Sequence, residues 1–90
     1  VAALIAGGLH GIDQGLELPE PVTGNAYAGD AQRLPTTLAG AAELFANSEV
    51  ARSAFGDEVV EHYLNNAQVE LAAFNAAVTD WEKVRGFERF

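Results

Sequence analysis

The chain lacks cysteine and methionine altogether and has only five basic side chains among its 90 residues. Without cysteine, disulfides, thiolate metal sites and cysteine nucleophiles are excluded. The five Lys and Arg residues are outnumbered by 13 Asp and Glu residues, which gives a formal net charge of −8. Because phosphate backbones and anionic membrane surfaces are bound by clustered positive charge, this balance disfavours both kinds of partner.

Long hydrophobic runs are also missing. The most apolar stretch covers residues 1–12, whereas a membrane-spanning helix needs about 20 apolar residues, so we expect no membrane segment. This stretch predicts a helix over residues 1–13 that is buried on several sides, with Gly7, Gly11 and Gly15 on one face allowing close backbone approach. Since the chain opens inside this pattern and without methionine, we expect it to be a segment of a longer protein.

Prolines are few, and all three lie between residues 17 and 35. Together with glycine, asparagine and aspartate, they exclude regular helix there and predict an extended connection. Tyr27 is the one aromatic residue of this loop. From composition alone, Tyr27 is an anchor that holds the loop to a surface rather than a reactive phenol.

Helix signals dominate the rest of the chain. Thr36 or Thr37 is placed to cap a helix that ends near Asn47. Asn47 or Ser48 then begins a short helix, which we expect Gly56 to close in a left-handed conformation. The sequence therefore predicts two short helices before the longest element.

Asp57 is the predicted N-cap of that longest helix. Its apolar stripe, at spacings of three and four residues, is formed by Val60, Leu64, Ala67, Leu71, Phe74 and Val78. At a rise of about 1.5 Å per residue the helix would be about 33 Å long, roughly the diameter of a small domain. We therefore expect its far end to contact something outside this chain.

A capping-box pattern, Thr79 followed by Glu82, predicts a final helical turn or two that begins at Asp80. Trp81 and Phe87 would be its packing residues, and their place at the end of the chain also allows an intersubunit contact. The predicted fold class is therefore mostly α, with helices joined by a loop rich in proline and glycine.

The sequence contains no complete motif for nucleotide binding, metal binding or catalysis. Gly7-Gly8-Leu9-His10-Gly11 matches neither the dinucleotide nor the nucleoside triphosphate loop. Glu58 and His62 lie one helical turn apart but at neither the zinc peptidase nor the di-iron spacing, so we interpret them as a solvated pair. His10 is interpreted as structural, and the acidic residues Asp57, Glu58 and Glu61 as partners of the helix dipole. The residues thus form no complete active site.

Five stretches, read in order, resemble the C-terminal end of the glutamine synthetase family. They are Ala2-Ala3-Leu4-Ile5-Ala6-Gly7-Gly8-Leu9 with Gly11-Ile12, Pro19-Glu20-Pro21-Val22, Gly24-Asn25-Ala26-Tyr27, Leu34-Pro35 and Val78-Thr79-Asp80-Trp81-Glu82. The resemblance runs through essentially the whole chain. The ending from Val78 is similar to the branch that includes γ-glutamylpolyamine synthetases.

The resemblance implies that residues 1–90 are the C-terminal helical part of an α+β catalytic domain. The parent would be an ATP-dependent ligase that phosphorylates the γ-carboxylate of glutamate and joins it to ammonia or an amine, with Mg²⁺ or Mn²⁺ ions. In this family the metal, nucleotide and phosphate ligands precede this segment, so the resemblance assigns no catalytic, cofactor-binding or metal residue here. It also implies a cytoplasmic homo-oligomer of two hexameric rings, with the remainder of the catalytic domain as the partner of this segment.

One position has a counterpart in the family. Bacterial ammonia-using members carry a regulatory adenylylated tyrosine in an Asn-Leu-Tyr-Asp-Leu-Pro loop, and Asn25-Ala26-Tyr27 is similarly placed. Here Ala28-Gly29-Asp30 stands where those members have Asp-Leu-Pro. The resemblance thus makes Tyr27 the candidate modification site.

A different class of protein also fits the residues. A free-standing helical module could use its apolar first helix and its long amphipathic helix to bind a partner protein. Such a module would unfold cooperatively when isolated, whereas we expect the isolated segment to aggregate or be partly molten.

Overall fold

The computed structural model describes residues 1–89, which form five α-helices, one 3₁₀ turn and no strand. The helices are α1 (Ala2–Asp13), α2 (Leu38–Ala46), α3 (Glu49–Phe55), α4 (Asp57–Ala76) and α5 (Asp80–Arg89), and the 3₁₀ turn is Ala26–Ala28. The predicted helical class and the predicted loop between α1 and α2 are confirmed. Within the described residues, no helix has both the length and the hydropathy that crossing a bilayer requires.

Two of the predicted caps are confirmed at the starts of α2 and α3. The Thr37 hydroxyl accepts a hydrogen bond from the Gly40 N–H at 3.1 Å. The Ser48 hydroxyl accepts one from the Ala51 N–H, also at 3.1 Å. Each cap satisfies one of the backbone donors that a helix leaves unpaired at its N-terminus.

Gly56 joins α3 directly to α4. Its φ of 83° is positive, as predicted, but its ψ of 155° is extended rather than helical. Because Gly56 itself occupies the N-cap position of α4, the prediction of Asp57 as N-cap is wrong. Asp57 is instead the first residue of α4, where its charge still favours the helix dipole.

The core is small and lies on α4. Val60 is fully buried and Leu64 is 8% exposed, so these two positions of the predicted stripe are confirmed. Ala67 and Leu71 are half-buried, whereas Phe74 is exposed at the far end of the helix. The stripe packs against α2 and α3, and α1 contacts this unit mainly through α3.

The other described helices do not supply the burial expected of α1, which stays a prediction about contacts outside this chain. Leu4, Ile5, Leu9 and Ile12 are all exposed, because among the described helices only α3 has substantial contact with α1. The radius of gyration is 19.0 Å, against about 12 Å for a compact domain of this length. The chain is therefore an open arrangement of helices whose apolar faces are largely uncovered.

The last helix, α5, has ten residues, which is longer than the turn or two predicted. Half of the predicted capping box forms, since the Thr79 N–H donates to Glu82 Oε2 at 2.8 Å. Trp81 and Phe87 are 70% and 89% exposed. Their predicted packing role is therefore wrong within this chain, because α5 has few contacts with the other helices.

Candidate functional site

Arg52 connects three helices at one point. Its Nε donates to the Ala46 carbonyl at the end of α2 at 2.8 Å. Its Nη1 donates to Asp57 Oδ1 at 2.9 Å, and its Nη2 donates to Glu61 Oε1 at 3.0 Å, both on α4. We call these four residues the Arg52 junction. It fixes the end of α2 and the start of α4 to the same guanidinium on α3.

The charges of the Arg52 junction are partly solvated. The Arg52 side chain is 31% exposed, and the two carboxylates are more exposed still. Hydrogen bonds to Asp57 first and to Glu61 second raise the pKa of Arg52 above its ordinary value. Since solvent screens such pairs, the directed hydrogen bonds of the planar guanidinium matter here more than the charge attraction. The junction thus sets the geometry between α3 and α4.

Sequence reasoning missed Arg52. Asp57 and Glu61 lie five and nine residues after it, and neither spacing places two residues on the same face of a continuous helix. The turn at Gly56 brings them together. The available signal was indirect: an arginine lies shortly before the predicted helix break and two acidic residues follow it.

His10 lies half-buried in a groove between α1 and α3. Asp13 on α1 and Ser53 on α3 line the same groove, together with the apolar side chains of Leu9 and Val50. The groove is the place where α1 meets the rest of the chain. The structural interpretation of His10 stays a prediction.

Glu58 and His62 are both exposed on α4, as the interpretation of a solvated pair expects. The His62 ring makes an edge-to-face contact with Tyr63, with ring centroids 5.6 Å apart. Of the acidic residues at the start of α4, Asp57 and Glu58 lie in its first turn, near the positive end of the helix dipole. Glu61 lies beyond the first turn and, like Asp57, belongs to the Arg52 junction.

Tyr27 is presented on a short, defined turn. The Asn25 side chain accepts a hydrogen bond from the Tyr27 N–H at 3.0 Å, which starts the 3₁₀ turn. The Tyr27 ring is 86% exposed, and an open depression beside it is lined by Arg33 and Leu34. Within this chain Tyr27 therefore does not anchor the loop, but its hydroxyl is accessible.

The exposed face of α5 combines aromatic and basic groups. The Arg85 guanidinium lies 5.5 Å from the centroid of the Trp81 ring, which is within the range of a cation–π contact. The Thr79 hydroxyl donates to the Glu82 carboxylate, and this bond, followed by backbone N–H groups, lowers the pKa of Glu82. This face is organised by local contacts but is not covered by the rest of the chain.

The sites described above do not bring catalytic groups together. Among residues 1–89, no three His, Asp or Glu side chains come together as a metal site would need. The groove between α1 and α3 is instead lined largely by apolar side chains, as is a second groove, between α2 and α4, which is lined by Leu38, Leu71 and Phe74. What the arrangement offers chemically is surface for packing, with Tyr27 as an accessible hydroxyl.

Comparison with known families identifies the chain. The family described as the glutamine synthetase catalytic domain matches residues 1–85. A search of solved structures finds no match.

The names of similar proteins support the same family. The chain is 66% identical to a gamma-glutamylethanolamide synthetase of Streptomyces coelicolor, over 99% of the chain and 19% of that protein. It is 39% identical to a glutamate–isopropylamine ligase of a Pseudomonas species, over 94% of the chain and 19% of that protein. A glutamine synthetase of Staphylococcus aureus is 32% identical, over 92% of the chain and 20% of that protein. The chain spans about a fifth of the length of these relatives. It belongs to the glutamine synthetase catalytic-domain family.

Proposed function

We propose that this chain is the C-terminal helical part of an ATP-dependent ligase that joins an amine to the γ-carboxylate of glutamate. The observation that carries the proposal is the 66% identity to a gamma-glutamylethanolamide synthetase over nearly the whole chain. The match to the glutamine synthetase catalytic domain over residues 1–85 supports the same reaction class. The whole reaction converts ATP, glutamate and an amine into ADP, phosphate and a γ-glutamylamide.

For the nitrogen acceptor we propose a small primary amine rather than ammonia. The relative named for ethanolamide is 66% identical to the chain, whereas the Staphylococcus aureus glutamine synthetase is 32% identical. Ethanolamine is the first candidate, because the protein named for its amide has much the higher identity. The second candidate acceptor is a diamine, because the ending from Val78 is similar to the branch that includes γ-glutamylpolyamine synthetases.

The nucleotide and the divalent metal ions belong elsewhere in the proposed enzyme. A Mg²⁺ or Mn²⁺ site in this family must gather several oxygen or nitrogen ligands, and residues 1–89 bring no three His, Asp or Glu side chains together. Residues 1–89 therefore do not form such a site by themselves. We derive no catalytic step from them and assign them no catalytic, cofactor-binding or metal role.

The role that we propose for this segment is packing and subunit contact. Leu4, Ile5, Leu9 and Ile12 give α1 an apolar surface that the other described helices leave exposed. Exposed apolar surface of this extent marks an interaction site. The remainder of the catalytic domain is the partner we propose for α1, and a neighbouring subunit is the partner we propose for Trp81 and Phe87 on α5.

The free-standing interaction module is the less favoured function. Such a module needs its own core, yet among residues 1–88 only Val60 and Leu64 are buried. The matches to proteins about five times longer than the chain also favour a part of a larger enzyme.

The wider properties of the enzyme are proposals drawn from the family. We place it in the cytoplasm and as an assembly of two hexameric rings. Light scattering on the full-length protein tests the assembly. Replacing Trp81 and Phe87 by Ser is expected to release smaller particles, while Glu88→Ser on the same helix is the matched control. An unchanged particle mass in the double variant would remove α5 from the subunit contacts.

Modification of Tyr27 is a separate proposal. Its exposed hydroxyl would attack the α-phosphorus of ATP on an adenylyltransferase, forming a phosphodiester and releasing pyrophosphate. Intact mass of the full-length protein after co-expression with such an enzyme tests the proposal, with Tyr27→Phe as the control. A mass without an added adenylyl group would contradict it.

The ligase itself is tested with the full-length protein, ATP, Mg²⁺ and glutamate. Ammonia, ethanolamine, isopropylamine and putrescine are supplied in turn, and phosphate release is measured together with the mass of the product. We expect phosphate release to require both glutamate and an amine, with a higher kcat/KM for ethanolamine than for ammonia. Failure of all four acceptors would overturn the reaction class, whereas a preference for ammonia would overturn only the acceptor.

A further inference from the structure

We draw no further inference here: the strongest candidate, the apolar groove between α2 and α4 lined by Leu38, Leu71 and Phe74, carries none because nothing in the structure shows what covers it.

Discussion

Arg52 and Asp57 pair at 2.9 Å across the turn that separates α3 from α4. The same guanidinium holds Glu61 one helical turn further along α4 and the last carbonyl of α2, Ala46. A side chain that bonds to both sides of a helix break restricts the angle between the two helices. Val60, which is fully buried, lies between the two carboxylate residues in sequence, so we expect the Arg52 junction to help hold the buried turn of α4 in place.

The first prediction concerns this junction. Arg52→Met keeps much of the apolar stem but removes every hydrogen bond, so α4 should lose its fixed start. We expect faster amide hydrogen exchange over residues 57–61 of the full-length protein, and a lower melting temperature. Arg33→Met, in the loop beside Tyr27, is the matched control and should leave exchange in α4 unchanged. Equal exchange in both variants would show that the junction does not order α4.

The second prediction concerns Gly56. Its φ of 83° and ψ of 155° lie in a region that essentially only glycine adopts. Gly56→Ala should therefore destabilise the full-length protein by about 1–3 kcal/mol, although a Cβ there would meet no neighbouring atom. The reason is backbone strain and not a clash.

The control for Gly56 makes the same chemical change inside a helix. Gly86 lies in α5, and a methyl group added there would also meet no neighbouring atom. Gly86→Ala should be neutral or stabilise by up to about 1 kcal/mol, through helix propensity. Urea denaturation curves of both variants separate the two effects. A Gly56→Ala variant as stable as the wild type would contradict the strained turn.

The third prediction is a pH effect at the start of α5. The Thr79 hydroxyl, followed by backbone N–H groups, lowers the pKa of Glu82 below its ordinary value of 4.5. A carboxylate with a lowered pKa in the folded state contributes stability that is present above the ordinary pKa and is lost as the pH falls through the lowered value. The first turn of α5 should therefore fray only in acid, at a pH below the ordinary glutamate range.

This contact spans three residues, so it can be measured by NMR titration of ¹³C-labelled glutamate side chains in the 90-residue chain, kept dilute enough to avoid the aggregation expected below. The Glu82 midpoint should lie below 4.5. Thr79→Val removes the hydroxyl but keeps the backbone N–H, and should move the midpoint back toward the ordinary value. The same midpoint in both proteins would show that the hydroxyl does not act on Glu82.

How well the sequence predicts a contact in this structure depends on how far apart the two residues lie in sequence. The caps at Thr37 and Ser48 and the bond between Thr79 and Glu82 each join residues three positions apart. The sequence predicts the bond between Thr79 and Glu82 directly and narrows each cap to two neighbouring residues. Burial of Val60 and Leu64 also follows, because helical periodicity fixes their face.

Other features depend on geometry that the sequence does not state. The Arg52 junction forms only because α4 takes a particular direction after Gly56, and the sequence does not state that direction. The capping rules that suggested Asp57 as N-cap do not consider that its carboxylate can pair with Arg52 instead. The exposure of Trp81 could not be predicted either, since an amphipathic pattern says which face of a helix is apolar but not what covers it. Of the candidate site, the loop position of Tyr27 was predictable from its neighbours, and the three-helix contact at Arg52 was not.

The fourth prediction concerns the 90-residue chain in isolation. Folding must offset about 1–2 kcal/mol of backbone entropy per residue, mainly through apolar burial. Among residues 1–88 only Val60 and Leu64 are buried, and large apolar side chains from α1 to α5 remain exposed. The isolated chain should therefore keep helical far-ultraviolet circular dichroism, bind the dye ANS, unfold over a broad temperature range and aggregate with rising concentration. The full-length protein is the control and should unfold sharply without binding the dye. A sharp thermal transition from a soluble 90-residue monomer would instead favour the free-standing interaction module.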